Sequence, residues 1–237
     1  MAVVSSRRRW YQFLLPAPGY LVTPGMAYLW VALYGLMGLR SALTLWPDVQ
    51  TLLVWGASYR PLTVQEPWRL VSAGFLLPGV MPGLLHILAW MYVARLGEEI
   101  MGSFRLLWVW AITGVWGSLA SLLLSPDVVS AGPVAGIMGV CGAMGALISL
   151  GVFDETSPRM LSLQAGVFLL YNIMLALAGR LDITAQLTGL LAGALLGYLL
   201  YPALSREQFG RRSVLTIMLL TLVTAGAASY LLRLAGS

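Results

Sequence analysis

Few residues in this chain could do chemistry. It has one histidine, His86, and one cysteine, Cys141. Together they would make a thiol–imidazole couple of the kind used in nucleophilic catalysis. Both lie in apolar stretches, and a buried thiol in apolar surroundings is inert, so Cys141 reads first as helix packing. A lone cysteine excludes an intrachain disulfide and a cysteine-cluster metal site. No metal or cofactor is expected. The other suggestive stretch is Ser130 to Gly139, "SAGPVAGIMG". Its small residues would let backbone pass close to backbone, as in a nucleophile-bearing turn, but no nucleophile stands where one is wanted.

The elements that must position these residues are apolar helices. Hydrophobic residues make up 59% of the 237, and charged residues only 10%, against roughly 25% in soluble domains. Apolar runs long enough for a bilayer recur along the chain, which predicts an all-α, polytopic membrane protein. Seven spans are expected, near 25–45, 79–96, 105–125, 133–152, 159–178, 184–203 and 213–234. The second is the weakest, being short and broken at its start by Pro78 and Pro82. Short connections make the later spans antiparallel neighbours. The connection 46–78 is too long for a bare loop and should carry structure of its own. The domain reading is an N-terminal arm (1–24), a six-helix membrane domain (25–203) and a connection with a seventh span (204–237). No cleavable signal peptide is expected, because prolines interrupt the stretch after Arg7, Arg8 and Arg9.

The net charge of +5 does not indicate nucleic acid. Every basic residue is arginine, and the arginines sit at span ends, where they act as topology signals. With seven alternating spans, Arg7, Arg8, Arg9, Arg95, Arg105, Arg159, Arg206, Arg211 and Arg212 share one side. Arg60, Arg69, Arg180 and Arg233 share the other, with Arg40 ambiguous. The N-terminus is therefore expected in the cytoplasm and the C-terminus outside. The absence of lysine points to a GC-rich bacterial genome and so to an inner membrane. Trp46, Trp55, Tyr59 and Trp68 in the long connection suit the headgroup level, either as an interfacial hairpin or as an ordinary aromatic belt.

Two spans carry small residues at helical spacing. The fourth has Gly132, Gly136, Gly139, Gly142 and Gly145, and the sixth has Gly189, Gly193 and Gly197. In lipid, helices associate through close van der Waals contact, which glycine permits. These two helices are expected to cross near the bundle centre, and packing alone explains the glycines.

The order of motifs resembles the rhomboid family. "EPWRLVSAGFL" (Glu66 to Leu76), with its Trp68–Arg69 pair, looks like the end of the rhomboid first loop. Leu84 to Gly102 is similar to the second helix, with His86 and a Glu-rich ending at Glu98 and Glu99. The run containing "SAGPVAGIMG" resembles the third loop and fourth helix, and Leu181 to Leu200 the sixth. The resemblance covers about residues 60–200. It implies a rhomboid-like six-helix bundle, with a seventh C-terminal span of the kind some members carry.

Rhomboids are intramembrane serine proteases, and the resemblance also assigns positions. The serine position falls on Val134, after Pro133. The histidine position falls on Gln186, and the second-helix histidine and asparagine fall on His86 and Trp90. Valine has no nucleophilic atom, and glutamine has no proton to exchange near neutral pH. A dyad that lacks both partners loses most of its rate. Pro133 takes away a backbone donor where an oxyanion would want one, and the Gly-Pro pair is similar to that of the inactive iRhoms. Trp90 is bulkier than asparagine and is expected to fill part of the cavity.

These departures imply no enzyme but a pseudoprotease, whose partners are the lipid bilayer and the transmembrane helices of client proteins, with a larger membrane complex as a further option. Candidate client contacts are Trp68, Arg69, His86, Trp90, Pro133, Val134 and Gln186. Two other readings stay open. One is an active protease using Cys141 and His86. The other is a bilayer-distorting, scramblase-like scaffold, motivated by a short second helix. A transporter is disfavoured, because no inverted repeat and little intramembrane charge are present.

Overall fold

The computed structural model describes residues 20–40, 46–151, 182–205 and 211–236, with the single positions 166, 170 and 174. Every regular element among them is helical: α1 (Val22–Arg40), three short helices α2 (Val49–Val54), α3 (Arg60–Thr63) and α4 (Arg69–Ser72), then α5 (Val80–Met101), α6 (Ser103–Leu124), α7 (Val134–Ser149), α8 (Ile183–Ser205) and α9 (Arg211–Gly236). Five of these are long and apolar enough to cross a membrane. The protein is a polytopic, all-helical membrane protein. The span expected at 159–178 and most of the N-terminal arm lie outside the described residues.

Two expectations about span length are corrected. The second span is not short: α5 runs for 22 residues, to Met101. Its charged end misled, because Glu98 is buried, with 2% exposure, and serves inside the fold. Gly102, at φ 79°, makes the turn into α6 instead. That glycine occupies a backbone region other residues rarely adopt. The short helix is α7, with 16 residues, or about 24 Å, less than the roughly 30 Å of a hydrocarbon core.

Glu98 closes the start of α1. Its carboxylate accepts from the backbone N–H groups of Leu21, Val22 and Thr23, each at 2.9 Å, and from the Thr23 hydroxyl at 2.6 Å. The Ser103 hydroxyl donates to it as well. A helix start leaves its first N–H groups without intrahelical partners, and inside a membrane no bulk water is available to take them. One buried carboxylate meets that need and pins α1 antiparallel to α5.

The expected crossing of the glycine-rich helices is a backbone-to-backbone contact among the described helices. A Cβ on Gly193 would collide with the Gly139 carbonyl, and one on Gly189 with the Ala135 carbonyl. A Cβ on Gly197 would lie 2.6 Å from the Ala143 carbonyl oxygen. Paired positions advance together along both helices, so α7 and α8 run parallel, and both begin on the same side. α6 runs antiparallel to them. Gly117 on α6 admits both neighbours at once, since a Cβ there would meet Ala135 Cβ and the Ala185 carbonyl oxygen, each at 2.7 Å.

The connection 46–78 does carry structure of its own. Asp48 caps α2 by accepting from Thr51 N–H at 3.1 Å. Arg69 is the hub: it donates to Glu66 at 2.6 Å and to the carbonyls of Leu53 and Ala57 at 2.7 and 3.2 Å. Ser58 and Ser130 exchange backbone hydrogen bonds at 2.8 and 2.9 Å, and Gly132 N–H donates to the Ala73 carbonyl at 2.8 Å. These bonds staple the connection to the segment that leads into α7.

Candidate functional site

Val134 is the first residue of α7, and Pro133 is its cap. Proline suits this place, because the N–H it lacks would have had no partner in the helix. Gly132 precedes it at φ 121°, a conformation that favours glycine. The local sequence thus sets a sharp turn into a helix, with Val134 at its mouth and 4% exposed.

A cavity of about 20 Å³ lies against this turn, bordered by Ser130, Gly132, Pro133, Val134, Gly136, Trp110 and Ala185 among others. That volume is enough for water but small for a peptide segment. Trp110 takes much of the remaining space. A Cβ on Gly136 would sit 2.5 Å from the Trp110 ring nitrogen, so Gly136 serves two ends: it opens the start of α7 and makes room for an indole. The Trp110 N–H is buried with no hydrogen-bond partner among the described residues.

Gln186 stands one turn into α8 and is 2% exposed. Asp182 caps that helix, accepting from Ala185 N–H at 3.1 Å. Thr184 ties it to the end of α6 through Ser125 at 2.8 Å. The Gln186 amide nitrogen and the second Asp182 carboxylate oxygen are buried without partners among the described residues. Two helix starts, each with a positive dipole end, therefore converge near a small cavity whose nearby polar atoms include unsatisfied ones.

The other expected site residues separate into two groups. Trp68 is 53% exposed and lies over Gly56, whose added Cβ would come within 2.6 Å of the ring. Arg69, in contrast, is 7% exposed, with its guanidinium committed to the loop and stacked 4.9 Å from the Trp68 ring centre. His86 is fully buried on α5. Cys141 sits two turns beyond Val134 and is partly buried against the main core cluster.

Trp90 corrects an expectation. It does not border the cavity; it is fully buried on the side facing α1 and donates its N–H to the Thr23 carbonyl at 2.9 Å. It packs edge-on against Trp30, with ring centres 5.4 Å apart. Trp110 is the indole that reaches the cavity, with Phe75 edge-on at 5.1 Å. Sequence reasoning missed Trp110 and Gly117. A signal was present, because Gly114 and Gly117 mark an α6 face close to another backbone, and Trp110 lies one turn before them.

Residues 64–203 match the model of the rhomboid domain. The chain is 28% identical over 177 residues to RHOMBOID-like protein 5 of Arabidopsis thaliana, covering 73% of this chain and 56% of that protein. It is 26% identical over 153 residues to Rhomboid-like protease 3 of Toxoplasma gondii, covering 63% and 58%. It is 27% identical over 210 residues to Rhomboid protease GluP of Bacillus subtilis, covering 84% of this chain and 39% of that protein. The chain spans little more than half the length of these relatives, or less.

Proposed function

Because the chain belongs to the rhomboid family, and because valine and glutamine stand where the resemblance puts a nucleophile and a base, we propose that it is a non-proteolytic rhomboid that binds transmembrane helices of other membrane proteins. The observation that carries this reading is Val134, an aliphatic side chain at the mouth of the α7 turn, lining a cavity of only about 20 Å³. Hydrolysis needs a nucleophile, a base and space for a scissile carbonyl beside oxyanion donors. Valine supplies none of that chemistry, and Trp110 occupies part of the space.

Client contact in this reading is made by Trp68, which is exposed, and by Pro133 and Val134, which line the cavity. Arg69, His86, Trp90 and Gln186 are buried, and of these Arg69 stacks against the Trp68 ring. The protein acts as an adaptor, in quality control or in regulation. The arginine asymmetry supports a cytoplasmic N-terminus, and an inner bacterial membrane is the setting that fits the arginine-only basic composition.

The experiment has two arms. A photo-crosslinking amino acid at Trp68 or Val134, in membranes, should capture transmembrane segments of other proteins. The purified native protein, given unstructured transmembrane substrates and a fluorophosphonate probe, should neither cleave nor become labelled. Cleavage or labelling would overturn the reading, and so would crosslinks to lipid alone.

A further inference from the structure

α9 stands apart from the other spans in how it is held. Only 17% of its apolar stretch is buried, against 33 to 56% for the other membrane-length helices. Its hold on α6 is polar. Trp108 donates its indole N–H to the Thr221 hydroxyl at 3.0 Å, and Trp116 donates to Thr224 at 3.1 Å. Each threonine passes its own proton to a carbonyl one turn back, Ile217 at 2.7 Å and Leu220 at 2.8 Å. Both hydroxyls therefore present only lone pairs to α6.

Beyond the threonines the contact is apolar and small. Ala228, Leu231 and Leu232 pack on Leu119, Leu122 and Leu70. The contacts advance in the same direction on both helices, so α9 runs parallel to α6. Leu70 also lines the cavity beside Val134, as does Val115, which packs on the same cluster. Whatever occupies the place of α9 therefore backs one wall of that cavity.

We infer that the α6 face from Trp108 to Leu122 is a second docking surface for a transmembrane helix, one that α9 occupies in cis and can yield. The partner it fits carries hydroxyls three residues apart and a small residue four positions after the second, as Thr221, Thr224 and Ala228 do, and runs parallel to α6. The chemistry selects it. Two indole donors in hydrocarbon need acceptors, and a threonine whose proton is already bound to its own helix supplies one without leaving a donor unmet. A purely aliphatic helix would leave both indoles unsatisfied. This inference does not depend on what the Val134 cavity binds.

The test uses the full chain in lipid nanodiscs. In a Cys141→Ala background, Leu119→Cys and Ala228→Cys report α9 docking as an intramolecular disulfide, and an unchanged thermal melt of the reduced protein shows that the variant folds. A synthetic peptide of residues 211–236, added in molar excess, should lower the disulfide yield several-fold. The same peptide with Thr221→Val and Thr224→Val should compete roughly tenfold less well, from two lost interhelical hydrogen bonds. A yield that no peptide lowers would overturn the inference of exchange. Equal competition by both peptides would overturn the chemistry assigned to the surface.

Discussion

Two helix pairs in this protein are joined in opposite ways. α7 meets α8 backbone to backbone, through glycines that leave no room for a methyl group. α6 meets α9 side chain to side chain, through two indoles and two hydroxyls, with most of α9 facing outward. The first joint draws on dispersion between atoms in close contact, which is cumulative and intolerant of added volume. The second rests on a few hydrogen bonds, each worth about 0.6 kcal/mol on average within a membrane and seldom above 1.7, and on a small apolar contact around Leu119 and Leu122. The rigid joint carries Val134 and Gln186, and the loose one borders them. A site held on one side by a fixed pair and on another by a lightly held helix can keep its shape while changing its neighbour.

The sharpest way to break this contrast is Gly193→Leu, whose side chain would be driven into the Gly139 backbone; no folded protein is expected after detergent extraction. Even Gly193→Ala should cost about 1–3 kcal/mol or more, read as a lower melting temperature. Next comes the joint between α1 and α5. Glu98→Gln puts an amide nitrogen among groups that are all donors, and roughly 2–3 kcal/mol should be lost, again by thermal melting. Trp116→Phe removes one indole donor from the loose joint and should cost about 0.6–1.7 kcal/mol, with the loss confined to α9 in hydrogen exchange. If Trp116→Phe proves as damaging as Gly193→Ala, the two joints are not different in kind.

Two smaller effects serve as controls. Gly145 lies on α7 but nothing described comes within 4 Å of a Cβ added there, so Gly145→Ala should be neutral, or stabilising by about 0.5–1 kcal/mol. The smallest effect is at Asp48. Hydrogen bonds from Thr51, side chain and backbone, hold its carboxyl below the ordinary carboxylate value. Its capping contribution is therefore present above about pH 4 and is lost as pH falls through the lower folded-state value. Exchange protection in α2, relative to the intrinsic rate at each pH, should fall in that acid window, and Asp48→Ala should show the low protection at every pH.

What could be read in the sequence was whatever rests on periodicity. Gly189, Gly193 and Gly197 recur every four residues, and that spacing alone puts them on one helix face. The apolar runs likewise gave the positions of the spans among the described residues. Roles set by partners far along the chain were hidden. Glu98 looked like the polar end of a span, because nothing local says that a carboxylate will turn inward to meet the start of α1. Trp90 and Trp110 are the same residue type in neighbouring helices, and only the packing decides that the first faces α1 and the second the cavity. The site positions came from family resemblance. The dimensions of the cavity, and the helix that backs its wall, follow from tertiary contacts that no short motif encodes.

The Glu98 cap has a consequence for how the protein is made. Thr23 and the carboxylate that receives its N–H are separated by 75 residues. At a synthesis rate of about 5–20 residues per second, the first membrane helix waits several seconds for the group that completes its start. During that interval three backbone donors have no protein acceptor of this kind, and the nascent helix can settle only once α5 has followed it into the bilayer. The first two long helices thus mature as one unit, and a chain truncated before Glu98 would leave its first helix for the cell's surveillance machinery to find.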